Sequence, residues 1–548
     1  MNSEFSKNSI GRSDNAEEVL LSPAEAVRAI EAGVDLNSVL ARLDVDACHF
    51  TKRVDDEGEE PLITTGFPCY TAPSKGVLAF SVEEMKRQQA KGEKSILVVD
   101  HKLLEKNCRS NTDSFKDADG LIILSHTEDD LEKARYNHFL VGVSNYSSVL
   151  LDNPTKPQIK LSDDGKGIEL ANGDTLREGN SITIDPMSGK LWREELSLLL
   201  PDKNAQILVK LLKDLGLSAE PAQVAFHDQH YSDLSKIYDI RCKFDKKLPI
   251  GLHRTDLSCL KLLRKGGESS FVDLSKGAVP ICLAFWDNKI LRSDQNYRLP
   301  DIHNMLDVLP DEFREALKNG DDHKIGTPLF RARDTLYRHQ LETAFREGRQ
   351  FVDGGEVHII IPSVKTAEEV KHFKKMVEEI TPPELKGQIK FGVMMETKEA
   401  LKNTREIARQ CDCLCYGTNG LTESYTGLDR SKLDHSEYMI ENDLEGISPY
   451  DRLVPEVADP MARSLAIVRE VEREQNREII TNSCGHQTGG HHMGSIKAVL
   501  DMGIRQLTVP PNEEHYHRTQ LAIAQHAARR KLACTPTPEV QGDLELAL

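Results

Sequence analysis

Apolar residues along the chain fall into two regimes. Between residues 61 and 195, short apolar runs bounded by turn residues predict a mostly β segment with short helices: GVLAF (76–80), ILVVD (96–100), GLIIL (120–124) and FLVGV (139–143). The segment closes with ITIDPMSGKLW (182–192), which reads as strand, turn and strand. LSLLLPDKNAQILVKLLKDLG (196–216) predicts a helical connection to the next module. From about residue 220 strands and helices alternate. Eight strands are expected: QVAFHD (223–228), LPIGLHR (248–254), VPICLAFW (279–286), VHIIIP (357–362), IKFGVMM (389–395), DCLCYG (412–417), REIITNSC (477–484) and RQLTVP (505–510). The clearest helix between them, TAEEVKHFKKMVEEI (366–380), carries Val370, Phe373, Val377 and Ile380 at helical spacing behind a Thr366/Glu369 capping box. Far upstream, Ser22-Pro23-Ala24-Glu25 is a capping box with proline in the first turn. It predicts a short helix to about Ala32, stopped by Gly33.

Eight βα units predict an α/β protein whose C-terminal part is a (β/α)8 TIM-type barrel, preceded by a small β/α domain. The expected organisation is a disordered tail (1–20), a helical linker (21–60), the small domain (61–195), the barrel (196–533) and a second tail (534–548). Composition narrows the function. Of 548 residues, 88 are acidic and 70 basic, a net charge of −18, which opposes nucleic-acid binding. A local basic patch for a phosphorylated small molecule stays compatible with that field. No apolar run is long enough to span a membrane, and the polar N-terminus lacks the apolar centre of a signal peptide. Eleven cysteines, scattered and odd in number, fit a reducing compartment, so a cytoplasmic protein without a membrane partner is expected.

In a βα barrel the chemistry sits at the C-terminal strand ends. Four of those ends carry polar residues that packing does not explain. The second ends in Gly251-Leu252-His253-Arg254-Thr255-Asp256 and the fifth in Gly392-Val393-Met394-Met395-Glu396-Thr397. The sixth ends in Tyr416-Gly417-Thr418-Asn419-Gly420, with Arg430 downstream, and the seventh in Ser483-Cys484-Gly485-His486. Two cations, a carboxylate, an amide and a thiol around one mouth suit an anionic, oxygen-rich substrate held by arginine and a hard metal ion. Cys411, Cys413 and Cys415 alternate along the sixth strand and are expected to point one way, as buried core thiols.

These motifs, in this order, resemble those of the phosphoenolpyruvate (PEP)-utilising enzymes. GLHRTD is similar to the family's G-L-x-R-T-E, GVMMET to G-x-M-I-E-x-P, YGTNGLTESYTGLDR to F-G-T-N-D-L-T-Q-x-T-x-x-x-x-R, and SCGH to I-C-G-E. LSPAEAVRAI and the stretch from GFPCYTAPSKGVLAF onward resemble the linker and the start of the phosphohistidine domain of pyruvate phosphate dikinase. The resemblance runs from about residue 20 to about 533. It implies a transferase in which a histidine on a swivelling domain (61–195) carries a phosphoryl group that the barrel exchanges with pyruvate. Arg254 would bind phosphoryl oxygens, Asn419, Arg430 and Arg333 the substrate, and Glu396 a magnesium ion. Cys484 would be the proton donor and His126 the phosphoryl carrier. A nucleotide-binding ATP-grasp domain, absent from this sequence, would be supplied by another chain, and a homodimer is implied. GHQTGGHH (485–492), with three histidines and with His515 and His517 downstream, fits a family loop better than a transition-metal site.

The departures from the pattern carry their own expectations. Gly420 stands where the family has a second metal-binding carboxylate, which predicts a weakened magnesium site. The third strand offers Cys282 and Ala284 where an arginine is expected, and Arg331 competes with Arg333 for a later arginine. The phosphohistidine motif is reduced to LSHTEDDLEKAR. Aligning its Ser-His pair selects His126, whereas aligning the Ala-Arg pair puts Asp129 at that place. Glu128, Asp129 and Asp130 would repel a phosphorylated His126. These losses open two further readings: a catalytically reduced relative that binds a keto acid or phosphate ester in a regulatory role, and a pyruvate-enolate lyase.

Overall fold

The computed structural model describes chiefly residues 20–55, 59–62, 73–100, 117–124, 148–151, 159–215, 223–228, 250–254, 281–284, 357–428, 436–442, 448–485 and 492–534, with short gaps and scattered positions between 325 and 345. The linker begins with α1 (Pro23–Glu31) and α2 (Leu36–Ala41). Ser22 and Glu25 close both halves of the capping box, and Gly33 follows the helix at φ +87°. The N-terminal domain is a six-stranded sheet, ordered β10 (Lys190–Trp192), β9 (Ser181–Asp185), β2 (Ser74–Ala79), β3 (Ser95–Asp100), β4 (Gly120–Leu124), β5 (Ser148–Leu151). Strands β2 to β5 run parallel, and β9–β10 forms the hairpin expected of ITIDPMSGKLW. A second sheet joins β6 (Ile159–Leu161), β7 (Gly167–Leu170) and β8 (Thr175–Arg177). FLVGV (139–143) lies outside the described residues.

A two-stranded ribbon forms the neck of this domain: β1 (Arg53–Asp55) pairs antiparallel with β11 (Ser197–Leu199). The 196–216 segment is therefore not helical throughout. Its first residues are claimed by ladder bonds to β1, Pro201 cannot extend a strand or donate, and Asp202 then caps α3 (Lys203–Asp214).

Strands β12 (Gln223–Asp228), β13 (Ile250–Arg254), β14 (Ile281–Ala284), β15 (Val357–Ile361), β16 (Ile389–Met395), β17 (Cys413–Gly417), β18 (Ile480–Cys484) and β19 (Gln506–Val509) close into one barrel, each parallel to its neighbours. All eight expected strands are present. Among the described residues, helices α4 (Ala367–Ile380), α5 (Lys398–Lys402), α6 (Thr404–Ala408), α7 (Thr418–Thr426), α8 (Ser436–Glu441), α9 (Pro455–Gln475), α10 (Met493–Asp501) and α11 (Glu513–Cys534) lie between or after the strands. Thr366 caps α4 as expected, but Glu369 accepts from Lys365 N rather than from the cap residue. No described helix is long and apolar enough to cross a membrane.

The linker is joined to the barrel. Leu21, Val39, Leu40 and Leu43 pack with Leu208 and Leu212 of α3 and with Leu521, Ala524 and Ala528 of α11 in one buried cluster. At its edge the buried Glu514 carboxylate accepts from Phe50 N (2.5 Å) and Thr51 N (2.8 Å), with His49 Nδ1 at 3.4 Å. Burial raises the Glu514 pKa, but the bonds from His49 and the two amides outweigh it and hold the group below its ordinary value. This contribution to stability is complete above the ordinary glutamate range and is lost as pH falls through the depressed native value. Glu514→Ala should cost about 1–3 kcal/mol by stranding two amides. Urea denaturation checks this, and the difference from wild type should shrink on acidification.

Candidate active site

Register decides which side chains meet at the barrel mouth. Met395 of β16 is level with Tyr416 of β17, and Gly417 of β17 is level with Cys484 of β18. Glu396, one residue beyond Met395, therefore arrives beside Gly417, and three consecutive strands deliver a carboxylate, a glycine and a thiol to one height. Arg254 ends β13 at the same rim, level with Ala284 of β14. The side chain of Arg254 lies outside the described residues, as do His126, Asp129, Arg331, Arg333 and Arg430 altogether.

Glu396 is held from both sides. Ser363, two residues beyond β15, donates its backbone N–H to Glu396 Oε1 at 2.7 Å, from a left-handed conformation (φ +52°) unusual for a non-glycine residue. A methyl group placed on either Gly417 or Gly420 would stand 3.1 Å from Glu396 Oε2. Gly420 is thus packed directly against Glu396.

Asn419 sits in the first turn of α7, whose N-terminus opens straight off β17 with no side-chain cap. Helix N-termini favour anions. Thr418 Oγ1 donates to the Cys484 carbonyl at 3.0 Å, tying α7 to the end of β18. Gly485 continues that strand at φ +125°, and a Cβ there would overlap Thr418 Oγ1 and stand 3.2 Å from Asn419 Oδ1. Cys484 is buried, 5% exposed, with its sulfur 3.5 Å from that of Cys415. Glu396, Asn419 and Cys484 are thereby brought to one corner of the rim. Ser363, Thr418, Gly485 and Cys415 complete that corner. The sequence reading quoted Thr418 and Gly485 within strand-end segments and read Cys415 as a core thiol, without giving any of them a part in the site, and it did not single out Ser363.

The three alternating cysteines do not share a face. The strand begins at Cys413, so alternation holds only from there: Cys413 and Cys415 join Ile360, Met394 and Cys484 in the barrel interior, whereas Cys411 packs among the helix–sheet core. Among the described residues no group of three or more His, Cys, Asp or Glu side chains is arranged to hold a metal ion. His492 instead caps α10 through Ser495.

With this geometry in view, the comparisons with known proteins fall on the same region. Residues 326–526 match the PEP-utilising enzyme, PEP-binding domain. Among curated relatives, the multiphosphoryl transfer protein of Rhodobacter capsulatus is 28% identical over 215 residues, 38% of this chain and 23% of that protein. Pyruvate, phosphate dikinase of Rickettsia prowazekii is 23% identical over 402 residues, 64% of this chain and 44% of that enzyme. The dikinase of Rhizobium meliloti is 22% identical over 544 residues, 91% of this chain and 56% of that enzyme. The chain thus spans less than two thirds of the length of these relatives.

Gly485→Ala tests the packing of this corner. Its backbone conformation alone should cost about 1–3 kcal/mol, and the overlap with Thr418 adds to that. Gly427→Ala, at φ +75° with nothing within 4 Å, is the comparison. Urea midpoints should fall further for Gly485→Ala, and equal falls would contradict the packing.

Proposed function

We propose that the protein is a phosphotransferase of the PEP/pyruvate class. In this reading it moves a phosphoryl group between a histidine of the 61–195 domain and pyruvate enolate. The observation that supports it is the meeting of Glu396, Asn419 and Cys484 at one corner of a parallel barrel, in the stretch that matches the PEP-binding domain. In the PEP-to-histidine direction the P–O bond of PEP breaks, a P–N bond forms on His126, and the enolate is left. The Cys484 thiol gives its proton to the methylene carbon, a general acid step that yields pyruvate. Arg254, Arg333 and Arg430 would neutralise phosphate and carboxylate oxygens, and Asn419 would orient the transferred group.

Glu396 is a hard oxygen ligand that fits magnesium, which is commonly bound by one or two carboxylates plus substrate phosphates. Gly420 leaves no second carboxylate, so the remaining ligands would come from water and the substrate. The ion, when bound, would neutralise charge on phosphoryl and enolate oxygens.

The packing of Gly420 on Glu396 favours a second reading, a relative that binds a keto acid without transferring phosphate. Incubation with magnesium and labelled PEP separates the two. An acid-labile phosphoprotein that disappears in His126→Ala is expected. Absence of label, together with saturable binding of oxalate by calorimetry, would replace the first reading by the second.

A further inference from the structure

Two sulfur atoms meet inside the barrel, and only one has a part in the proposed chemistry. Cys415 Sγ donates to Cys484 Sγ across 3.5 Å. Both side chains are buried and neither is disulfide-bonded. Cys415 is level with Asn482 and Cys484 with Gly417, so the two cysteines are diagonal neighbours on the inner face of two parallel strands.

A line of donors leads to this pair. Thr508 Oγ1 of β19 donates to Asn482 Oδ1 at 2.8 Å, which turns the Asn482 amide nitrogen toward Cys415 Sγ at 3.5 Å. Each sulfur therefore accepts a hydrogen bond, Cys415 from an amide and Cys484 from a thiol. Cys484 is also the member at the C-terminal end of its strand, at the rim.

We propose that Cys415 and Cys484 form a peroxide-sensitive pair that closes reversibly to a disulfide. The Cys484 thiolate attacks one oxygen of hydrogen peroxide, and the O–O bond breaks. This gives a sulfenic acid and hydroxide, which takes a proton to become water. The Cys415 sulfur then attacks the Cys484 sulfur. The S–S bond forms, the S–O bond breaks, and hydroxide leaves with the Cys415 proton as a second water. Two thiols are oxidised by two electrons and one peroxide is reduced to two waters. The sulfurs must close from 3.5 Å to about 2.05 Å, through side-chain rotation and a small displacement of the strands. Closure would withdraw the Cys484 proton from the mouth. That consequence rests on the proposed function, but the crosslink does not.

The test is made on the full chain. Reduced protein is freed of reductant, exposed to hydrogen peroxide, blocked with N-ethylmaleimide and digested with trypsin without reduction. Mass spectrometry should find segment 410–430 joined to segment 478–497, and the joined species should be lost with dithiothreitol. Because the first segment also contains Cys411 and Cys413, Cys415→Ser should abolish the link and Cys411→Ser should preserve it. Wild-type protein without the link, or a link that survives Cys415→Ser, overturns the proposal. The readout is a mass and needs no PEP, so its failure is distinct from failure of the phosphotransfer reading.

Discussion

The rim depends on the parallel register of β16, β17 and β18. A slip of one residue in any of them would turn its inward side chains outward and carry Glu396 or Cys484 away from the mouth. The register is held from inside by closeness and from outside by hydrogen bonds. A Cβ on Gly392 would overlap Cys413, so β16 and β17 can approach as they do only with glycine there. On the outer face, the buried Tyr416 hydroxyl is 2.9 Å from Ser464 Oγ, which is 2.8 Å from Thr404 Oγ1. Burial pushes the Tyr416 phenol up, so it stays neutral there. The strand that carries Gly417 is thus fixed on both faces before any substrate arrives.

Much of this was legible in the sequence. Fully buried parallel strands read as short continuous apolar runs, and all eight barrel runs were long enough and sufficiently bounded by turn residues to be read. Glu396, Asn419 and Cys484 were legible because polar residues at strand ends have no packing reason to be there. What escaped were the backbone partners. Ser363 acts through its N–H and Gly485 through the lack of a side chain, and neither role depends on a residue type that stands out. The errors share a cause as well. Alternation was extended two residues upstream of β17 to Cys411, and helical periodicity was extended upstream of Asp202. In both places an apolar pattern continued past the point where hydrogen bonding changed partner.

The linker shows how the small domain and the barrel share one chain path. Two segments enter and leave the N-terminal sheets, and they meet as the β1–β11 ribbon. On the barrel side of the ribbon, α1, α2 and α3 bury their apolar faces with α11, so the base of the neck packs on the barrel's last helix. Glu514 closes that base by holding the amides of residues 50 and 51, immediately before β1 begins.

With glycine at position 420, no acidic side chain stands there beside Glu396. Glu396 already spends Oε1 on the Ser363 amide, and its Oε2 faces the glycines. One carboxylate beside an uncapped helix N-terminus leaves a corner less repulsive to an anion than two would, and less able to hold a cation alone. In the proposed function, a phosphate or carboxylate would bring oxygens that such an ion lacks, and the ion would offset the charge that Glu396 presents to the anion. Of the two buried thiols in this corner, that of Cys484 at the end of β18 is the more exposed, and under the proposed pairing the thiol of Cys415 on β17 answers its oxidation.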